Sequence, residues 1–137
     1  ALLLGDELLY ADRENGEVSC MERLVDVYNK TGKTTLATME VFGDDVSKYG
    51  NLGVKDEKDG IISVNQILEK PTPNEALSNY AIIGRYIISG EVMAMLEKLT
   101  PRNNEIYLTE NRLPGQKYYH FILIAKDFIG YKQYRSN

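Results

Sequence analysis

The stretch Asn79 to Ile88 sets Ala81, Ile82 and Ile83 side by side and adds Tyr86 and Ile87 further on. Successive strand residues face opposite ways. A strand here carries bulky apolar groups on both faces and must be covered on both. Leu2 to Leu4 is a shorter continuous apolar run that predicts another interior strand, parallel in sense. Asp6 and Glu7 follow it directly. Ser19-Cys20-Met21-Glu22 is a capping box, and the helix it opens carries Met21, Leu24, Val25 and Tyr28 at helical spacing. Gly32 ends that helix, and β-branched Thr34 to Phe42 predicts a strand. Asn51 to Lys55 and Ile61 to Leu68 predict a hairpin turning through Asp56 to Gly60, and Pro71 stops its second strand. Pro71 to Ser78 is loop. Ser89 caps a second helix with Val92, Met95, Leu96 and Leu99 on one face, closed by Pro101. Tyr118 to Ile124 is a last strand, and Lys126 to Asn137 a weak helix. These elements make an α/β chain with one core.

Composition narrows the function. The net charge is −4 and the pI about 5.1, against a nucleic-acid partner, which needs a basic face. No apolar run reaches the roughly 18 residues of a membrane span. One cysteine excludes an internal disulfide and a cysteine-based zinc cluster. The start lacks a basic segment and a cleavage site, so a cytoplasmic location is expected. Because Ala1-Leu2-Leu3-Leu4 reads as if cut within a strand, the chain is expected to be a single-domain piece of a larger protein.

Several residues invite chemistry. Thr31-Gly32-Lys33-Thr34-Thr35 imitates the end of a phosphate loop, but it runs from helix to strand, the wrong way round. A helix cap with a nearby lysine explains it. His120 stands alone in an apolar strand and cannot build a histidine zinc site. Cys20 lies in a first helical turn but has no oriented base, so a packed thiol is expected. Asp6 follows a strand, where ligands of open α/β sheets bind and where a carboxylate can hold Mg²⁺; a polar loop residue fits its position equally well. Glu69-Lys70-Pro71 joins an acceptor of sugar hydroxyls, a cation for a phosphate, and a rigid stop. Side chains of Glu69 and Lys70 can reach one ligand only if the strand twists or ends there. Otherwise they form an ordinary surface pair. Tyr49-Gly50 offers a close approach to backbone or an ordinary turn.

Leu3-Leu4-Gly5-Asp6, Tyr49-Gly50, Leu68-Glu69-Lys70-Pro71, Ser78-Asn79-Tyr80-Ala81-Ile82-Ile83-Gly84-Arg85-Tyr86 and Asn104-Glu105-Ile106-Tyr107-Leu108-Thr109-Glu110 occur in this order. In order and spacing they resemble the bacterial UTP–glucose-1-phosphate uridylyltransferase family, within the sugar-nucleotide pyrophosphorylases. The resemblance implies a partial Rossmann-like nucleotide-diphospho-sugar transferase sheet, mixed but mainly parallel, with flanking helices and a β-hairpin. It implies the reaction of UTP with glucose 1-phosphate to UDP-glucose and pyrophosphate. It makes Asp6 the ligand of a Mg²⁺ cofactor and Glu69 the holder of glucose hydroxyls. Lys70 would hold the sugar phosphate and act in catalysis beside Asp6. Gly50 and Ile82 would meet the sugar through their backbones, and Tyr86 would line its pocket over a floor formed by Asn79 to Ile88. The family's glycine-rich nucleotide loop belongs before Ala1, its L-T-D is here Leu108-Thr109-Glu110, and its second metal aspartate is matched only by Asp127, out of register. The isolated chain is therefore expected to be inactive. A parallel sheet without its leading strands exposes an edge, so a homo-oligomer is expected. A phosphosugar-binding or regulatory module without catalysis is the alternative. A thymidylyl- or guanylyltransferase is the neighbouring enzyme option.

Overall fold

Helix α1 (Cys20–Thr31) forms where the capping box predicts it. The Ser19 hydroxyl accepts from the Glu22 amide, and the Glu22 carboxylate accepts from the Ser19 amide at 3.0 Å. Arg13 reaches the same carboxylate at 2.8 Å. Gly32 adopts a left-handed φ of 66° and returns its N–H to the Tyr28 carbonyl at 2.7 Å. The inward stripe is rotated from the expected one. Cys20, Leu24 and Val27 are buried, whereas Val25 is 41% exposed. The small Cys20 side chain lets the first turn sit close to the sheet, and Met21 flanks it. The buried Thr35 hydroxyl donates to the Leu24 carbonyl at 3.2 Å and ties helix to sheet.

This is a computed structural model, and it describes residues 1–5, 8–98 and 121–124. The strands are β1 (Leu2–Leu3), β2 (Thr35–Glu40), β3 (Gly50–Lys58), β4 (Ile61–Glu69), β5 (Tyr80–Ile87) and β6 (Phe121–Ile124), and the second helix is α2 (Gly90–Leu96). Short 3-10 turns occupy Arg13–Asn15 and Gly43–Lys48. Ser89 caps α2, as expected. Leu99, Pro101, the segment 104–110, His120, Asp127 and the tail helix lie outside the described residues. No helix among the described residues is long and apolar enough to cross a membrane.

The six strands form one sheet in the order β1-β5-β2-β6-β4-β3, and β3 also touches β5. The expected mainly parallel sheet is corrected here. Strand β5 runs opposite to β1, β2 and β3, β4 runs opposite to β3 and β6, and among the described residues the β2–β6 pairing alone is parallel. Apolar runs report burial, not direction. The hairpin turn at Asp59 (φ 55°) and Gly60 (φ 71°) obliges β3 and β4 to run antiparallel, and β5 enters between β1 and β2 against both. Among the described residues β1 pairs with β5 alone, antiparallel rather than parallel as expected, and its Leu2 and Leu3 are 39% and 54% exposed.

The β3–β5 contact bends the sheet back on itself, and β5, β2, β6, β4 and β3 enclose an interior. Leu36, Leu52, Ile62, Val64, Ile67 and Ile82 fill it, with Tyr80 and Tyr86 packed against them. The opposite face carries Ala37 and Ile83 against the α1 stripe. A third cluster joins Val41 and Ala81 to Val46 of the second 3-10 turn. Between Leu36↔Tyr86 and Ala37↔Ile83 the register slips. The extra residues Gly84 and Arg85 bind the end of β1 instead. Leu4 donates to the Gly84 carbonyl at 2.9 Å, and Arg85 Nη1 donates to the Leu4 carbonyl at 2.9 Å. A Cβ on Gly84 would lie 2.6 Å from the Leu4 Cβ, so only glycine admits this docking.

Ser19→Ala should lower stability by about 1 kcal/mol in urea unfolding. The Ser19 hydrogen bonds, followed by its backbone amide and then Arg13, hold the Glu22 carboxyl below its ordinary value of 4.5. A folded pKa below the unfolded one stabilises above the unfolded value and is lost as pH falls through the folded one. The gap between wild type and Ser19→Ala should therefore narrow when unfolding is repeated in acid below pH 4.

Candidate functional site

Gly50 opens β3, Glu69 closes β4, and the two are paired across the ladder. One residue along, Asn51 pairs with Ala81 of β5. Alternation then puts Gly50, Glu69 and Ile82 on the same, interior-facing side. A Cβ built on Gly50 would lie 3.1 Å from Ile82 Cδ1 and 3.5 Å from Glu69 Oε2. The structure thus brings together three of the predicted site residues, from three strands, with a carboxylate beside a bare backbone and an apolar floor under both. Ile82 is 8% exposed. Its side chain forms that floor.

Lys70 follows Glu69 with a φ of 44°. A left-handed lysine costs of order 1–3 kcal/mol and is held by its N–H donating to the Tyr49 carbonyl at 3.2 Å. Buried Pro71 comes next. This turn ends the strict alternation that would send the Lys70 side chain to the face opposite Glu69. The strand ends at the pair, as Pro71 predicts.

Tyr86 lies on the same face as Ile82, opposite Leu36, and packs on the interior cluster. It is four residues further along β5, up to about 13 Å from Ile82 at strand rise. Asp6 lies outside the described residues, as does Asp127. Among the described residues no three His, Cys, Asp or Glu side chains gather where a metal could sit. Lys33 is exposed beyond the Gly32 cap, between helix and strand, which is no phosphate loop. Cys20 is buried, and that burial pushes its thiol up to about 11, with Arg85 and then Arg23 pulling the other way. It is a packed, inert thiol.

One residue of the site was not legible in the chain. Asn51 has no exposed surface and bonds through its carboxamide to the segment that leads into β5. A polar residue at a strand start usually signals a turn, and nothing nearby marks it otherwise.

A model of the nucleotidyl transferase family matches residues 1–128. The chain is 42% identical over 111 residues to the UTP–glucose-1-phosphate uridylyltransferase of Streptococcus pneumoniae, covering 80% of this chain and 37% of that protein. It is 33% identical to the uridylyltransferase YngB of Bacillus subtilis, covering 80% of this chain and 36% of that one. Among solved structures, an apo UDP-glucose pyrophosphorylase superposes with a TM-score of 0.77 at 29% identity, over 89% of this chain and 44% of that one. A UDP-glucose pyrophosphorylase complexed with UDP-glucose gives 0.69 at 31% identity, over 79% and 40%. The chain thus spans little more than a third of the length of these curated relatives.

Two outcomes follow from the packing. A thiol-reactive disulfide reagent should label Cys20 only as fast as the chain unfolds, and rapid labelling of the folded chain would contradict its burial. Gly50→Ala forces the Ile82 side chain aside by a few tenths of an ångström and should cost about 1 kcal/mol in urea unfolding.

Proposed function

The chain belongs to the nucleotidyl transferase family, and on that footing we propose that it supplies the sugar-phosphate-binding part of a UTP–glucose-1-phosphate uridylyltransferase. Homology with the bacterial uridylyltransferases supports the substrate pair. The observation that carries the reading is the convergence of Gly50, Glu69 and Ile82, with Lys70 next in the chain after Glu69.

In the proposed reaction a phosphate oxygen of glucose 1-phosphate attacks the α-phosphorus of UTP. The bond from that phosphorus to the bridging oxygen breaks, and pyrophosphate leaves. The residues of this chain bind and orient. The Glu69 carboxylate accepts hydrogen bonds from two neighbouring glucose hydroxyls. The missing Cβ at Gly50 lets the Ile82 and Glu69 side chains close over its backbone, which sets where the carboxylate stands. Ile82 presents an apolar floor to the C–H face of the sugar, and Tyr86 extends the same face. The Lys70 ammonium offsets the sugar phosphate charge, which would otherwise repel the incoming triphosphate. Holding the two reactants in line contributes much of such a rate enhancement.

Mg²⁺ is the cofactor of the proposed reaction. The described residues form no carboxylate cage, and Mg²⁺ in nucleotide sites is bound by one or two carboxylates, water and substrate phosphates. Asp6 is the carboxylate we propose would hold it, and the ion would supply charge neutralisation for the phosphates. The exposed Leu2, Leu3 and Leu4 along the β1 edge support self-association.

Calorimetric titration of the chain with glucose 1-phosphate should give saturable binding. Glu69→Ala removes hydrogen bonds to a charged group, worth about 1.5–3 kcal/mol, and should weaken it at least tenfold. Lys70→Ala should erase the preference for glucose 1-phosphate over glucose and flatten the salt dependence. Absence of saturable binding by the folded wild-type chain would end this reading.

A further inference from the structure

We propose that Asn51 is a positioning residue for the sugar site, whose carboxamide clasps β3 to the entry of β5 and thereby sets the gap between Gly50 and Ile82. The inference rests on the functional reading above.

Strand β3 meets β5 at a single register pair, Asn51↔Ala81. Gly50 stands immediately before one member of that pair, and Ile82 immediately after the other. The 3.1 Å approach of the Ile82 methyl to the Cβ position of Gly50 is therefore fixed by whatever holds this one crossing. A lone backbone pair is a weak hold. The Asn51 side chain adds four hydrogen bonds to it. Nδ2 donates to the carbonyls of Ser78 at 2.8 Å and Tyr80 at 3.1 Å. Oδ1 accepts from the amides of Leu77 at 2.7 Å and Ser78 at 3.4 Å. Two donors and two acceptor sites are the whole capacity of a carboxamide, and here all are used.

Ser78 completes the clasp. Its hydroxyl donates to the Leu52 carbonyl and accepts from the Tyr80 amide at 3.0 Å. Residues 77–80 are thus stitched to β3 at Asn51 and Leu52, two residues ahead of Ile82. Asparagine is depleted in strands, and burying an amide is unfavourable unless every group is bonded. Its burial is understandable as a polar device that holds an irregular chain entry in one place. A fully satisfied buried network of this kind is rigid, and the sugar floor inherits that rigidity.

The test uses the whole chain, with Asn51→Ala and the milder Ser78→Ala, which leaves the carboxamide in place. Each variant is compared with wild type at a temperature where their circular dichroism spectra coincide. Two quantities are read: affinity for glucose 1-phosphate, and the nuclear Overhauser effect between the Gly50 α-protons and the Ile82 δ-methyl. We expect about a tenfold weaker affinity for Asn51→Ala and about threefold for Ser78→Ala, with the Gly50–Ile82 effect reduced in step. If Asn51→Ala does not fold, Ser78→Ala carries the same decision. Unchanged affinity in a folded variant overturns the positioning role while leaving the functional reading intact. If wild type does not bind the sugar phosphate, the functional reading fails. The Overhauser effect still decides the clasp: its loss supports it, and its persistence overturns it.

Discussion

Strand β5 has almost no solvent face. Ala81 through Arg85 are buried without a break, and the two faces serve different cores. Ile82 points into the interior enclosed by β2, β3, β4 and β6, and Ile83 points at helix α1. Burying each of these side chains contributes about 1.5–3 kcal/mol. The strand also borders β1, β2 and β3. No other described strand touches so many. A displacement of β5 would therefore open both cores at once, and this double burial holds Ile82 firmly in place, so the site proposed over it is only as well placed as the packing beneath.

The site itself is built at strand ends. Gly50 begins one strand and Glu69 ends its partner, so neither side chain position is masked by further ladder. The left-handed turn at Lys70 adds a local cost of order 1–3 kcal/mol and is held by the Tyr49 carbonyl. Strain of this kind persists where the surroundings over-determine it. The turn stands directly after Glu69, at the end of the strand.

Much was legible in the chain because it is local. The capping box Ser19–Glu22, the stop at Pro71, the cap at Ser89 and the hairpin through Gly60 each depend on a few consecutive residues. The turn proved tighter and β3 longer than expected, because Asp59 and Gly60 alone reverse the chain while the exposed residues 54–58 are held by the ladder rather than by packing. The rotated stripe of α1 was not legible. Cys20 reads as neutral, and only the sheet beneath decides that it, rather than Val25, faces in. The direction of the Leu2–Leu4 strand was not legible either, because an apolar run reports burial and only the docking on Gly84 and Arg85 sets β1 antiparallel to β5.

From residue order alone came the type of most elements among the described residues, the α/β class, the buried thiol, the failed phosphate loop and the position of Glu69 and Lys70 at a strand end. These follow from short-range sterics and hydrogen bonding, which the neighbouring residues carry with them. Strand direction, the bending of the sheet onto itself, the meeting of Gly50 with Ile82 and the clasp at Asn51 were settled only in three dimensions. Most of these join residues far apart in the chain, such as Leu2 with Tyr86 and Thr35 with Ile122, and the outcome depends on which long-range pairing buries the most surface while leaving no amide unbonded.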